Sequence, residues 1–311
     1  MHILVTGGCG YIGSVLIPKL LNEEHYVTSV DTKWFGDFLP KHKKLLNIKM
    51  DIRNIEKLSI KGVDSIIHLA SIASDPMAEL DKNLSWENSA LSTFILMNHA
   101  IKNGVKRIIY ASSGSVYGIK KEKNVTEELS LKPISLYNQV KMITERVILS
   151  YSNIEKFIIR PATVCGYSPR MRFDLTVNAL TFSALNNKLI KVFGGNQIRP
   201  NIHIEDMTDL YLFLLKTDKS RCGIYNAGFE NKSVISIAKQ VSKNIDSKIK
   251  ILNKNIDPRS YKLDSTKLKN LGFKSKKNID DAINELKYMY MKKKITNNPR
   301  FYSVKWLKKI I

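Results

Sequence analysis

The feature that most constrains the fold is a short apolar run at the N-terminus, followed at once by a glycine-rich turn. Residues 2–5 predict a first strand, and residues 6–13 carry four glycines, of which Gly7, Gly10 and Gly13 are spaced by three residues, before a helical pattern begins. Glycines at this spacing permit a tight turn, a close approach of the backbone to a diphosphate, and close packing of the helix on the strand. We expect the helix to start at about Gly10 to Tyr11 and its free N–H groups to bind phosphate. The candidate cofactor residues in this turn are Gly7, Gly10, Tyr11, Ile12 and Gly13.

An acidic residue at the end of the second predicted strand extends this interpretation. Residues 26–31 read as that strand and end on Asp31. Asp31 lies close to the spacing of about 20 residues expected for a carboxylate that accepts the adenosine ribose hydroxyls. Because a carboxylate there repels a 2′-phosphate, NAD is predicted over NADP. Lys33 is the one basic residue nearby that would weaken this preference.

Composition narrows the class of protein. The chain has 311 residues, three cysteines and a formal net charge of +22. Its lysines are spread along the whole length and no aromatic-interleaved basic stripe appears, so we interpret the charge as solvated surface and expect no specific nucleic-acid partner. No run approaches the roughly 20 apolar residues of a membrane span. The cysteines lack metal-ligand spacing, and the first strand begins too early for a leader, so we expect a cytoplasmic protein without a metal site.

Strand and helix patterns alternate up to about residue 165 and become irregular afterwards. The alternation predicts an α/β fold, a Rossmann-type doubly wound parallel sheet, with a smaller C-terminal substrate-binding domain. We predict a cofactor domain over residues 1–165 and a mainly substrate-binding domain over 166–311, some segments of which return to the first. Further predicted strands are residues 45–50, 63–70 and 106–111, and predicted helices are residues 85–102 and 134 to about 151.

Ligands bind at the carboxyl ends of the strands in open parallel sheets. That rule places a set of residues along one rim, namely Asp51, Ile52, Leu69, Ala70, Ser112 and Ser113. His68 lies inside an apolar strand, and we expect it to be a satisfied core histidine.

A tyrosine and a lysine then supply the chemistry. Tyr137 and Lys141 are spaced at i and i+4, so they lie one turn apart on one helix face. The ammonium favours the phenolate, and we expect it to lower the pKa of the tyrosine toward working pH. The same spacing begins at Tyr117, Tyr288 and Tyr290, but only Tyr137 starts a helix in the cofactor half, shortly after a serine-rich strand end. The alternative is that this pair lies on a solvated helix face.

These motifs together resemble the extended short-chain dehydrogenase/reductases, in particular the NAD-dependent epimerase/dehydratase family that acts on nucleotide-sugars. The resemblance covers nearly the whole chain. Its anchors are residues 6–13, Asp31, Asp51 with Ile52, and residues 112–118, 137–141, 160–161, 199–206 and 225–228. It implies that Ser113 is the catalytic serine, Tyr137 the acid/base, and Lys141 the residue that tunes the tyrosine and binds ribose. It further implies that Asn88 supports the site and that Arg199 and Arg259 clamp a substrate diphosphate.

One departure from the family pattern bears on the reaction. Family members that dehydrate the sugar carry an Asp-Glu pair where this chain has Gly114 and Ser115, so a 4,6-dehydratase is disfavoured. Arg170 and Arg172 are further candidate ligands for phosphate or sugar, although one of them could simply pair with Asp174.

We therefore predict an NAD-dependent nucleotide-diphosphosugar epimerase, acting at C4 through a transient 4-keto sugar. Two alternatives stay open. One is a nucleotide-sugar C4 dehydrogenase or 4-ketoreductase, for example on a GDP-linked heptose or hexose, which residues 168–174 favour by resemblance. The other is a catalytically retired dinucleotide sensor, which an intact Ser113, Tyr137 and Lys141 disfavours. The resemblance also implies a homodimer built from the helices around residues 85–102 and 136–151.

Overall fold

A computed structural model describes residues 1–253 and 257–311 of the chain. In this part of the chain the strands are β1 (His2–Thr6), β2 (Tyr26–Asp31), β3 (Leu45–Lys49), β4 (Ser65–His68), β5 (Arg107–Ala111), β6 (Asn124–Val125), β7 (Glu155–Pro161), β8 (Thr163–Cys165), β9 (Leu189–Phe193), β10 (Ile198–His203), β11 (Gly223–Ala227), β12 (Glu230–Ser233), β13 (Lys248–Leu252) and β14 (Lys262–Leu263).

The α-helices are α1 (Gly13–Asn22), α2 (Asp75–Ala78), α3 (Lys82–Trp86), α4 (Ser92–Lys102), α5 (Leu136–Leu149), α6 (Thr176–Asn187), α7 (Ile204–Lys216), α8 (Val234–Asn244), α9 (Thr266–Asn270), α10 (Ile279–Met291) and α11 (Ser303–Leu307). A π-helical turn over Glu87–Leu91 separates α3 from α4. Short 3₁₀ turns span Ile52–Lys57, Gly114–Tyr117, Lys219–Arg221 and Pro299–Phe301.

A seven-stranded sheet in the order β11-β7-β5-β4-β1-β2-β3 forms the centre of the fold. Every neighbouring pair in it is parallel. The order runs outward in both directions from β1, which places the point of reversal beside the glycine turn. The predicted Rossmann-type doubly wound parallel sheet is confirmed.

The alternation of side chains along β1 shows how both faces of the sheet are covered. Ile3 and Val5 join a core cluster with Leu16 of α1. Leu4 points to the opposite face and joins a second cluster with Leu96 of α4. Since burying an aliphatic side chain of this size contributes about 1.5–3 kcal/mol, the two clusters hold a helical layer on each face.

Three differences from the predicted element boundaries affect the surroundings of the cavity described below. Helix α1 begins at Gly13, because the glycines before it form a turn in which the Gly10 N–H donates to the carbonyl of Gly7 (3.1 Å). The predicted helix over residues 85–102 is interrupted by the π-helical turn. Strand β4 ends at His68, two residues early, which leaves Ala70 in the loop that borders the cavity described below.

The second half of the chain does not form one uniform layer. Strand β11 pairs with β7 in the central sheet, whereas β8, β10 and β12 form a small separate sheet. Helices α6, α8 and α10 pack together around a third core cluster. The division at residue 165 stays a prediction. Among the described residues, no helix is both long and apolar enough to cross a membrane.

Candidate active site

A cavity of 510 Å³ opens at the carboxyl ends of the central strands. It collects the predicted site residues from both halves of the chain, with Asp51 as the exception. Those lining it are Gly7, Gly10, Tyr11, Ile12, Gly13, Asp31, Ile52, Leu69, Ala70, Asn88, Ser113, Tyr137, Lys141, Arg170, Arg172, Arg199 and Arg259.

The glycine turn between β1 and α1 has no room for side chains at two positions. Gly7 has a φ of +73°, and a Cβ there would lie 2.7 Å from the backbone nitrogen of Ala70. A Cβ at Gly13 would lie 2.4 Å from the carbonyl oxygen of Gly8, so the turn itself requires this glycine. The first N–H groups of a helix lack partners within it, so this end of the cavity suits a phosphate group.

Tyr11 connects the glycine turn to the second half of the chain through hydrogen bonds. Its hydroxyl donates to the carbonyl of Gly166 (2.7 Å) and accepts from the amide of Asn178 (3.0 Å). The hydroxyl of Ser168 donates to the carbonyl of Tyr11 (2.7 Å) and lies 2.8 Å from that of Ser14. These buried bonds fix the turn to the stretch that carries Arg170 and Arg172, both of which line the cavity.

Asp31 presents its carboxylate at the end of β2. The carboxylate accepts hydrogen bonds from the backbone N–H groups of Cys9 (3.0 Å) and Lys33 (2.6 Å). Burial raises the pKa of Asp31, while those two hydrogen bonds oppose the rise. The ammonium of Lys33 forms an ion pair with Asp37 (2.8 Å). This ion pair occupies the one basic side chain that was expected to weaken the preference for NAD.

The candidate catalytic side chains lie just after the end of β5 and at the start of α5. The Ser113 hydroxyl lies 2.7 Å from that of Ser115, which donates to the amide oxygen of Asn138 (2.5 Å). A hydrogen bond from Ser113 favours the phenolate of Tyr137. Ser135 caps α5, so Tyr137 projects from the first turn of the helix. Ser113 and Tyr137 therefore line the same part of the cavity wall.

The leading influences on the pKa of Tyr137 do not include Lys141. Burial is the largest influence and raises the pKa of Tyr137, while Ser113 and Arg172 oppose it. The ammonium of Lys141 donates to the carbonyl of Ala111 (2.7 Å) and lies 6.0 Å from the Tyr137 ring centroid. Burial lowers the pKa of Lys141 to about 7, so the group is a weak source of positive charge.

A buried polar network behind the site escaped the sequence analysis. Arg160 forms an ion pair with Glu145 (2.7 Å), and the carboxylate of Glu145 accepts from the hydroxyl of Ser112. Arg160 also donates to the hydroxyl of Tyr117 (2.8 Å), which donates to the amide of Asn226 (2.8 Å). The Tyr117 ring belongs to this network and does not line the cavity. The network ties β5, β7, β11 and α5 together, a contact that local patterns cannot reveal.

The predicted diphosphate clamps converge from distant positions in the sequence. Asp257 forms ion pairs with Arg199 (3.1 Å) and Arg259 (2.7 Å), and Arg259 also contacts Asp75 (3.1 Å). Asp75 and Asp257 both line the cavity, although neither was singled out from the sequence. The two arginines thus present a joint cationic surface with carboxylates between and beside them.

Arg170 and Arg172 differ although they lie two residues apart. Arg172 forms an ion pair with Asp174 at 2.5 Å, as one of the two was expected to do. Arg170 is only 4% exposed and forms no ion pair among the described residues. Its guanidinium lies 4.1 Å above the ring centroid of Phe35.

Two predicted residues have unexpected surroundings. The carboxylate of Asp51 caps the following 3₁₀ turn and pairs with Arg53 (2.9 Å), and it does not line the cavity. Asn88 lies in the π-helical turn, a feature that is frequent at functional sites. Its amide nitrogen is buried without a partner among the described residues. That donor is available to a ligand.

The C-terminal segment covers one side of the cavity. Ser303 and Val304 line it together with Trp34 and Phe35 from the loop after β2. The indole N–H of Trp306 donates to the carbonyl of Trp34 (2.7 Å). The place of the aromatic C-terminal tail at the cavity carried no sequence signal.

The comparisons with known proteins agree with this geometry. A model of the NAD-dependent epimerase/dehydratase family matches residues 3–228, more than half of the chain. The chain belongs to this family. The match includes the glycine turn, Asp31, Ser113, Tyr137 and Lys141.

Several relatives cover most of this epimerase/dehydratase chain. It is 27% identical to a UDP-glucose 4-epimerase of Lactobacillus helveticus, over 91% of this chain and 95% of that protein. A solved UDP-glucose 4-epimerase of Thermotoga maritima with UDP-glucose has a TM-score of 0.84 at 25% identity, covering 94% of this chain and 99% of that one. A UDP-glucuronic acid 4-epimerase of Bacillus cereus, solved with UDP-glucuronic acid and NAD, has a TM-score of 0.82 at 27% identity over the same shares.

The predicted family and its NAD cofactor are confirmed by these matches. The residues present fit NAD. The turn at Gly7 and Gly13 excludes side chains where a diphosphate would approach, and Asp31 is placed at the end of β2 for the ribose. The guanidinium of Arg170 adds a buried donor, Nε, without a partner among the described residues. No group of three or more His, Cys, Asp or Glu within residues 1–253 and 257–311 is arranged to hold a metal ion.

Proposed function

We propose that this protein is an NAD-dependent UDP-sugar 4-epimerase that acts through a transient 4-keto sugar. The observation that carries the proposal is the placement of Ser113 and Tyr137 in one cavity with the glycine turn and Asp31. The relatives of Lactobacillus helveticus, Thermotoga maritima and Bacillus cereus are 4-epimerases of UDP-sugars, which supports the uridine nucleotide and the C4 position.

Tyr137 acts as the acid/base in this proposal. Its phenolic oxygen takes the proton of the C4 hydroxyl and later returns a proton to the keto oxygen, while the Ser113 hydroxyl hydrogen-bonds the same sugar oxygen. Bound NAD supplies a hydride acceptor in the first half of the cycle and a hydride donor in the second. Lys141 is held against β5 by Ala111 and contributes a cofactor ribose contact.

Arg199 and Arg259 hold the substrate diphosphate while the sugar turns. Guanidinium groups suit this role because their planar donors match phosphate oxygens. In this structure the Asp257 carboxylate pairs with both arginines. A bound diphosphate replaces part of that pairing, and the nucleotide stays anchored as the keto sugar rotates to present its other face.

The carboxylates around the cavity argue against loss of water. Asp75, Asp174 and Asp257 are each paired with an arginine. At the two positions that supply acid and base in dehydratases, Gly114 has no side chain and the Ser115 hydroxyl bonds Asn138. Dehydration would require an unpaired carboxylic acid beside Tyr137, and these groups do not provide one.

The assembly that we propose is a homodimer formed through α4, α5 and the π-helical turn. Large apolar side chains on these elements are exposed, with Leu91 at 57%, Phe94 at 53%, Leu149 at 40% and Ile143 at 38%. Exposed large apolar side chains on elements that contact one another are typical of an interface. The free cysteines are consistent with a cytoplasmic location, which we also propose.

The test incubates the purified protein with a panel of UDP-, GDP-, dTDP- and CDP-sugars. We expect one UDP-sugar to convert to its C4 epimer at unchanged mass, with no added oxidant or reductant. Accumulation of a product two hydrogens lighter would instead identify a dehydrogenase, and turnover of a GDP-sugar alone would overturn the proposed nucleotide.

A further inference from the structure

Arg170 is a buried cation that forms no ion pair within the described part of the chain. Its side chain is 4% exposed, yet the guanidinium makes no ion pair with a described carboxylate. Its hydrogen bonds are to the carbonyl of Met171 and the hydroxyl of Ser303, both at 3.1 Å. The Nε donor has no partner among the described residues. Keeping a buried charge uncompensated is costly, so this arrangement indicates that an anion completes the site.

The position of Arg170 shows which end of the cavity it serves. Its guanidinium lies against Phe35, in the loop that follows β2 and Asp31. The charges that act most on it are those of Arg172 and Asp174 in its own stretch, followed by Asp31 and Tyr11 at the cofactor end. Tyr137 interacts with Arg172 and Arg259, and Arg170 is absent from the leading charges around it. The two arginines of this stretch therefore serve different ends of the cavity.

The C-terminal segment fixes this position. The Ser303 hydroxyl accepts from Arg170 and donates to Asp174 (3.2 Å). Ser303 is 1% exposed, and it begins the helix α11, whose Trp306 is bonded to the β2–β3 loop. Phe35 covers one face of the guanidinium plane, and Ser303 holds one of its terminal nitrogens. Arg170 is thereby held in one orientation along the cavity wall.

We propose that Arg170 binds the diphosphate of NAD through its guanidinium, and that Ser303 and Phe35 hold it there so that the dinucleotide is retained as a resident cofactor. The glycine turn and Asp31 mark where the diphosphate and the adenosine ribose lie, and the diphosphate is the anionic part of the dinucleotide. This assigns Arg170 to the cofactor, in contrast to the substrate role expected from the sequence. The inference rests on the NAD site and is independent of the sugar chemistry.

The experiment measures NAD release from the full-length holoenzyme. Protein loaded with adenine-labelled NAD is mixed with excess unlabelled NAD, and loss of label is followed over time without any sugar present. Arg170→Met keeps the length of the side chain and its packing on Phe35 but removes the charge. We expect release to be about 10- to 100-fold faster, the usual effect of losing a hydrogen bond between charged groups.

Arg172→Met is the matched control, because it removes the neighbouring arginine of the same stretch. Its NAD release should stay within about twofold of wild type, since Arg172 pairs with Asp174 near the reacting tyrosine. Arg170→Lys and Ser303→Ala should give intermediate rates, and they serve as the test if Arg170→Met does not fold. Competition binding with ADP-ribose and with adenosine identifies the group that Arg170 contacts. Only the binding of ADP-ribose, which contains the diphosphate, should weaken in Arg170→Met.

Two results would overturn the inference. One is wild-type NAD release from folded Arg170→Met or, if that variant does not fold, from both Arg170→Lys and Ser303→Ala. The other is an equal acceleration of NAD release by Arg170→Met and Arg172→Met, which would show that the effect is not specific to Arg170. A higher KM of Arg170→Met for the UDP-sugar, with unchanged NAD release, would show that Arg170 binds the substrate and not the cofactor. A wrong epimerase assignment leaves all of these binding outcomes unaffected.

Discussion

At Tyr137, burial and charge act in opposite directions on the phenol. Burial raises its pKa, while the hydrogen bond from Ser113 and the charges of Arg172 and Arg259 lower it. The sequence located Tyr137, Lys141 and Ser113, because their spacing and strand context are local. It could not supply the balance of these influences, since the two arginines reach the tyrosine only through the tertiary fold.

Removing one oxygen tests the role of Tyr137. Tyr137→Phe should slow turnover by at least about 10²-fold, the usual contribution of a general acid/base. The fold and NAD binding should survive, because the glycine turn and Asp31 are unchanged. Steady-state kinetics on the confirmed substrate measure the effect. Tyr288→Phe is the control, since Tyr288 is 59% exposed on α10; wild-type turnover in Tyr137→Phe would remove the tyrosine from the mechanism.

Lys141 should give the ligand-free protein a distinctive pH dependence. Its pKa is lowered to about 7 by burial, so between about pH 7 and its ordinary value near 10.4 the unfolded chain binds more protons than the folded one. Stability from this group therefore rises with pH in that window. Denaturant unfolding at pH values from about 7 to 8.5 should show wild type gaining stability relative to Lys141→Met. Parallel curves for the two proteins would contradict a depressed pKa.

Asp31 should select NAD over NADP by charge. The backbone N–H groups of Cys9 and Lys33 hold its carboxylate where a 2′-phosphate would have to enter. Calorimetry on the stripped protein should show NAD binding tighter than NADP, and Asp31→Ala should narrow the gap, with NAD weakened about 10-fold or more. Equal binding of the two cofactors to wild type would refute this assignment.

At the scale of elements, local patterns placed most strands and helices but misjudged what some of them face. The helix predicted over residues 85–102 carries the apolar residues Leu91 and Phe94, and both side chains are more than half exposed. Periodicity reports that a face is apolar, and it cannot distinguish a core from an interface. The π-helical turn at Asn88 also has no sequence signature, because it depends on how α3 and α4 pack.

The exposed face on α4 and α5 should hold two subunits together. Phe94→Glu places a charge on that face while leaving the buried side of α4 intact, so we expect a folded monomer where wild type is a dimer. Light scattering coupled to gel filtration at micromolar protein reports the mass directly. The control is Leu46→Glu, at an exposed position on β3, which should leave the dimer unchanged. A monomeric wild type would reject the interface.

For the whole molecule, the parallel sheet and its cofactor edge followed from the alternation of strands and helices and from the glycine turn. The substrate side was harder to predict, because it is built from segments far apart in the chain. Arg199 and Arg259 meet through Asp257, and the C-terminal Ser303 reaches the β2–β3 side of the cavity. Such contacts depend on long-range packing, which a single sequence does not encode in any local pattern.

The central claim is that the hydride leaves C4 of the sugar and returns to the same carbon within one enzyme. The most direct measurement uses the UDP-sugar that turns over, carrying deuterium at C4, with mass spectrometry and NMR of the product. The account predicts the C4 epimer at unchanged mass with deuterium retained at C4. A product two hydrogens lighter, with the deuterium lost from the sugar, would contradict it and show that the reaction stops after oxidation.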